Sequence, residues 1–394
     1  MSPARLFHPS HLYVLLVLAM PLLATPLRAI ADPRYALTGV AGQDSYATGL
    51  NNLGQVVGGI AVADSYHAFV YAGGFTDLGT FGADYSAAYA INDAGQVVGT
   101  AFSFTEGTPT RGFLYSGGTM SAIQGAAGNT YAYGINNSGT VVGAMTVGTA
   151  EGDSYQHAYT WKGGGFADLG TLPIGDGSRA FAINGSGAVV GAAANTINGA
   201  PNFPEDPFVY RNGTITGLGN FGGIWSNATS INDAGLVVGY SGIEFGNLSD
   251  EIYSRSAFLY EGGVLHNLGG LAPYRSSVAS DINNLGQIVG SAGLASGGAH
   301  AVLYENGEMI DLNTLIDPAS GWTIEDAAAI NDLQQIAATA CKAGICQAVR
   351  LDLVAAVPEP SACAMLLAGL MLGIGRIRRP AIRRPAIRRP AVRG

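Results

Sequence analysis

Apolar positions in this chain fall in short consecutive runs, with neither the alternation of a half-exposed strand nor the rhythm of an amphipathic helix. Phe69-Val70-Tyr71, Phe113-Leu114-Tyr115, Phe208-Val209-Tyr210 and Phe258-Leu259-Tyr260 are such runs, and Gly, Asn or Asp separates each from the next. Strands covered on both faces read this way, because neither face needs polar residues. A longer pattern organises them: an apolar residue and Asn, two variable residues, a small or flexible residue, then a Val-Val-Gly-like run. It runs from Leu50-Asn51 to Gly58, Ile91-Asn92 to Gly99, Ile135-Asn136 to Gly143, Ile183-Asn184 to Gly191, Ile231-Asn232 to Gly239 and Ile282-Asn283 to Gly290, with a worn copy from Ile330-Asn331 to Ala338. The Asn positions advance by 41, 44, 48, 48, 51 and 48 residues, the period of one supersecondary unit repeated in an array.

One period predicts four strands: Phe75 to Gly79, Ala87 to Asn92, Gln96 to Ala101 and Gly112 to Tyr115. Turn residues between them describe an antiparallel meander. The second and third strands are joined by a tight hairpin in which Asn92 bonds the backbone two residues on and Gly95 takes a positive φ. Counting outward, the first unit opens at Tyr35-Ala36-Leu37-Thr38 and the last runs from Glu308 to Leu351. The fold expected is all-β, seven four-stranded units closed as a seven-bladed β-propeller, which leaves only short strand edges. An open β-solenoid is the alternative; its coils are shorter and more regular than these units.

Composition supports burial: Gly is 58 of 394 residues, charged residues are 12% and mean hydropathy is +0.24. The two ends stand outside the fold. Residues 1–31 read as a signal peptide, with Arg5, an apolar core from Leu12 to Ala24 interrupted by Pro21, and a small-x-small cleavage site at Ala29-Ile30-Ala31. Near the other end, Val357-Pro358-Glu359-Pro360 precedes an apolar stretch at 361–375 and then Arg376-Ile377-Arg378-Arg379. This order resembles the PEP-CTERM sorting signal of exported bacterial proteins, placed here at 357–379. The resemblance implies an exosortase-type sorting protease that cuts near Pro358-Glu359-Pro360. A transient anchor in the inner membrane is held from translocating by the arginines. A basic Arg-Arg-Pro-Ala repeat tail occupies 380–394, leaving 32–356 as the β domain. From Pro33 to Val357 there are nine Lys and Arg against 26 Asp and Glu, a formal charge of −17. That excludes nucleic acid as a partner held by bulk electrostatics.

His67-Ala68-Phe69-Val70-Tyr71, Asp77-Leu78-Gly79-Thr80, Ala90-Ile91-Asn92 and Gly95-Gln96-Val97-Val98-Gly99 together resemble the HAF repeat of extracellular bacterial proteins. The His is replaced by Arg111, Asp206, Ser256 and Gln347 in other copies. The resemblance implies an extracellular repeat protein and no activity.

Candidate chemistry is weighed against this architecture. His67, His157 and His300 hold one position in their repeats, so each sits on a different unit and reads as an architectural hydrogen-bonding group rather than a shared metal ligand. Asn92-Asp93, Asn232-Asp233 and Asn331-Asp332 lack the dense oxygen ligands of a calcium loop and read as turn caps. Glu106, Glu151, Asp153, Glu205 and Asp206 lie in longer insertions where an acid/base pair for glycoside cleavage would be built; solvated loop charge is the plainer reading. Tyr155, Phe203, Trp225 and Trp322 are candidates to stack on sugars or to pack, and packing is the plainer reading. No catalytic, cofactor-binding or metal-binding residue is assigned. Cys341 and Cys346 read as a disulfide, since an exported chain meets an oxidising compartment. The function expected is that of an exported noncatalytic cell-surface or extracellular-matrix protein. Its partners are the export machinery, the sorting protease and extracellular polysaccharide; a polysaccharide-acting propeller enzyme or a lectin-like module are the alternatives.

Overall fold

The computed structural model describes residues 34–123, 128–148, 154–173, 175–194, 205–243, 255–272, 276–295 and 297–354. These residues form 28 strands and two three-residue 3-10 turns, Leu312–Thr314 and Pro318–Ser320. The chain is a β-propeller whose innermost strands each lead into one of the Asn hairpins. The hairpin chemistry is as the sequence predicts: Ala94 N donates to Asn92 Oδ1 at 3.1 Å, and Gly95 has φ +72°.

Two expectations are corrected. The seven units are not seven separate sheets. Five four-stranded sheets are separate, while the strands from Ser178 to Gly269 form one eight-stranded sheet. The join is a single parallel register pair, Glu205 with Trp225, where the strand Gly222–Ile231 extends beside Glu205–Arg211. The phase of the unit also differs. Phe75–Gly79 closes the sheet begun at Ser45–Leu50 instead of opening the next one, because a Gly73-Gly74 turn folds it back on Ser65–Tyr71. Glu308–Asp311 likewise ends the sheet begun at Ser277–Ile282. Tyr35–Gln43 is therefore left to close the ring: it pairs antiparallel with Ile345–Leu353, Tyr35 opposite Leu353 and Gly39 opposite Val349. First and last described strands share one sheet, so the open solenoid is not supported.

Packing explains the consecutive apolar runs. Val56, Val57, Val97, Val98, Val141 and Val142 are all fully buried, the two neighbours of each pair pointing into opposite sheet interfaces. Phe69, Phe113, Tyr159, Phe208 and Phe258 on the third strands are buried between adjacent sheets. The Gly of each Val-Val-Gly run lies opposite a register shift in the innermost strand. A Cβ on Gly143 would stand 1.8 Å from the Tyr131 carbonyl oxygen, and one on Gly99 2.1 Å from that of Ala87. A side chain there cannot be accommodated without moving backbone.

The candidate site in the central channel

Among the described residues, the strands that lead into the Asn hairpins surround the channel, and the residues that line it occupy fixed places before each Asn. At one end the Asn side chains form a closed ring. Asn51 Nδ2 donates to the Asn92 carbonyl at 2.9 Å, and the same bond passes through Asn136, Asn184, Asn232, Asn283 and Asn331 back to Asn51 at 2.9–3.1 Å. Each Asn Oδ1 accepts from its own turn, as Asn136 does from Ser138 N and Thr140 N. One residue further on, side chains link neighbouring turns again: Asn52 N donates to Asp93 Oδ1 at 2.9 Å, Asp93 N to Asn137 Oδ1 at 2.9 Å, and Asn284 N to Asp332 Oδ1 at 2.8 Å. The Asn-Asp pairs thus bond turn to turn.

Above the ring the symmetry breaks. Three places before the Asn, consecutive strands present Tyr89, Tyr133 and Phe181, whereas the others present Thr229, Ser280, Ala328 and Thr48. The aromatic rings touch in sequence, with centroids 5.4 Å apart for Tyr89 and Tyr133 and 5.6 Å for Tyr133 and Phe181. Burial pushes the Tyr89 and Tyr133 phenols up, so both are neutral hydroxyls. Two places before the Asn every strand has a small residue except one, which carries Asp281. Its carboxylate accepts from Ser230 Oγ at 2.6 Å, Ile282 N at 2.9 Å and Ile330 N at 2.9 Å. Burial nonetheless lifts it to about 6, opposed by those three bonds and reinforced slightly by Asp332. The cavity at this level is about 470 Å³.

The residues singled out in the sequence lie mostly elsewhere. His67, His157 and His300 bond through Nδ1 to Asp77, Asp168 and Asp311 at 2.9, 2.9 and 2.7 Å, each within its own sheet. Glu205 pairs with Arg179, and Asp206 accepts from Asn220 at 2.5 Å. Glu106 is exposed between two strands, and Trp322 packs beneath Lys342, whose Nζ is 5.7 Å from the ring. Tyr155 stands in strand Ser154–Lys162 opposite Val147. Cys341 and Cys346 are disulfide-bonded, Cα atoms 4.0 Å apart across a hairpin. Glu151, Asp153 and Phe203 lie outside the described residues, as do Ala29, Ala31, Val357, Pro358, Glu359, Pro360 and the apolar segment 361–375. Among the described residues no helix is long and apolar enough to cross a membrane.

Sequence reasoning passed over two sets of residues. Tyr89, Tyr133, Phe181 and Asp281 become visible only when the copies are aligned on their Asn and the exceptions sought. A hydroxyl six places before the Asn is the other signal. Ser86 Oγ accepts from Ala68 N at 2.8 Å and donates to Gly79 O at 2.6 Å, tying two sheets together, and Ser178 repeats both bonds to Ala158 N and Gly170 O.

Residues 356–379 match the PEP-CTERM protein-sorting motif. The motif marks the chain for export, recognition by an exosortase and transient membrane anchoring at that segment. No curated protein matches this sequence. Among solved structures, the chain is similar to the β-propeller domain of the Trilobed protease from Pyrococcus furiosus, at 10% identity and TM-score 0.52, over 80% of this chain and 99% of that one. The Pyrococcus horikoshii acylaminoacyl peptidase follows at 11% identity and TM-score 0.49, over 75% of this chain and 49% of that one. A puromycin-hydrolyzing peptidase of Mycobacterium tuberculosis gives 13% identity and TM-score 0.47, over 84% and 55%. The chain spans about half the length of the two peptidases. The first likeness shows a shared β-propeller fold; the tail shows sorting, and together they describe an exported, exosortase-sorted propeller.

Proposed function

We propose that this protein is a noncatalytic cell-surface or extracellular-matrix propeller of the HAF-repeat type, delivered by its PEP-CTERM signal. Its ring counts seven units, the eight-stranded sheet being two units in contact along one parallel pair. The observation that carries this reading is that the repeated polar residues are occupied by the architecture. The Asn side chains hold the ring closed, the His residues pair with Asp inside their own sheets, and Glu205 is engaged by Arg179. A hydrolase needs a nucleophile or a carboxyl pair free to meet substrate. Among the described residues the cavity presents one carboxyl group, Asp281, already fixed by three hydrogen bonds, and the Asp93, Asp233 and Asp332 carboxylates at the Asn ring are engaged by neighbouring turns.

Glycan-array binding together with polysaccharide digestion by the purified full chain tests the reading. Binding without any new reducing ends is the expected pattern. Turnover of a polysaccharide that is abolished by Asp281→Asn would replace it with the enzyme reading.

A further inference from the structure

We propose that the channel cavity is a binding site for a neutral pyranose unit, stacked on Tyr89, Tyr133 and Phe181 and hydrogen-bonded by Ser280 and Asp281. The inference rests on the noncatalytic reading for the fate of the ligand and on geometry alone for its chemistry. The order of the Asn ring sets the places of the strands: three consecutive ones carry the aromatic arc, and Ser280 and Asp281 stand across the ring from it.

The two arcs differ in what they leave unoccupied. Tyr89, Tyr133 and Phe181 are half-buried, so part of each ring faces the cavity, and their mutual contacts make one continuous apolar wall. The Tyr89, Tyr133 and Ser280 hydroxyls have no hydrogen-bond partner among the described residues. Their neighbours at the same level do: Thr48 Oγ1 donates to Ala88 O at 2.7 Å and Thr229 Oγ1 to Ala279 O at 2.8 Å. Asp281 keeps one lone pair beyond its three bonds, on Oδ2, which accepts only from Ile330 N. An occupant must therefore offer an apolar face to one side and hydroxyl donors to the other, which is the shape of a pyranose ring with its C–H face and equatorial hydroxyls. An anionic sugar is disfavoured, because Asp281 is the charge at this level and Arg179, the cation near the aromatic arc, is paired with Glu205. The cavity of about 470 Å³ falls within the range of roughly 300–1,000 Å³ found for small-ligand sites.

The test is saturation-transfer NMR and calorimetry on the full chain with cellotetraose, laminaritetraose, maltotetraose and mannotetraose as probes. At least one probe is expected to receive saturation from the aromatic resonances. Tyr133→Ala is expected to weaken that probe roughly three- to tenfold, the scale of one aromatic contact. Ser280→Ala, which removes a hydroxyl that holds nothing in the fold, is expected to weaken it with no change in melting temperature, whereas Phe104→Ala, at an exposed position that does not line the cavity, leaves it unchanged. Failure of all four probes to bind, or binding indifferent to both channel variants, overturns the proposal. Cleavage of a bound probe would overturn the noncatalytic reading while leaving the channel site standing, so the two failures are distinguishable.

Discussion

At the scale of single residues, the repeat spends its identity on two kinds of position, those that must be small and those that must bond. Gly143 is of the first kind: with the Tyr131 carbonyl 1.8 Å from the place its Cβ would take, Gly143→Ala is expected to lower stability by about 1–3 kcal/mol, read by urea unfolding. An unchanged midpoint would show that the strand pair relaxes freely. The worn copy already carries Ala338 at this place, and its strand pair has a second register shift between Ile324 and Asp326. Asp281 is a residue of neither kind, an ionisable group where the other copies have small ones. Burial holds its carboxyl at about 6 against an ordinary 3.8, so the folded chain binds a proton more tightly than the unfolded one. The stability it contributes therefore falls as pH rises from about 4 through about 6 and is level above that. The change is on the order of 2–3 kcal/mol. Asp281→Asn should remove that part of the pH dependence, leaving the contribution of Asp326, which burial also raises. Parallel stability curves for the two proteins between pH 4 and pH 7 would reject the assignment. What the sequence made legible here was the repeated residue; a singular one such as Asp281 carries no periodic signal and is found only as a departure.

Among the elements, strand existence and the Asn hairpins were readable because turn chemistry is local. Asn and Gly three residues apart close a hairpin whatever surrounds them, and Asn92 with Gly95 does so as expected. The phase of the unit was not readable, because it depends on which of two turns stays within a sheet. Gly73-Gly74 folds Phe75–Gly79 back onto its own sheet, while Thr80 to Asp84 carries the chain across to the next. The fusion of two units was equally hidden, since one parallel pair between Glu205 and Trp225 leaves no pattern in either strand. Closure follows from the phase: the strand Tyr35–Gln43 has no place in the sheet after it and completes the last one. The same sheet carries the Cys341–Cys346 disulfide, within a hairpin closed by Lys342 and Ile345. A loop this short gives a modest entropic gain, so the Cys341→Ser, Cys346→Ser double variant is expected to lose about 2 kcal/mol at most, measured by calorimetry. Equal melting of the oxidised wild type and the double variant would show that the closing strands alone hold the ring.

For the whole molecule, ring and tail impose opposite demands on charge. The acidic, charge-poor body buries its strands on both faces and closes through seven Asn carbonyls, with the last hairpin bonding the first through Asn331 Nδ2 and Asn51 O at 3.0 Å. The sorting segment does the reverse: fifteen residues at 361–375, shorter than the roughly 20 of a stable span, are followed at once by the first of eight arginines running to Arg393. Such a segment suits a brief stay, because arginines resist passage across the bilayer while the apolar stretch is too short to hold the body there for long. The PEP-CTERM motif at 356–379 marks the chain for recognition by an exosortase. Cleavage at Val357 to Pro360 would release a body of formal charge near −17 and discard all eight positive charges together. We therefore expect mass spectrometry of the secreted protein to find its C-terminus between Val357 and Pro360, and Glu359→Ala to leave uncut protein in the membrane fraction. Secreted protein carrying the tail intact to Gly394 would show that the segment is passed through the bilayer, and the arginines would then need a role on the outside.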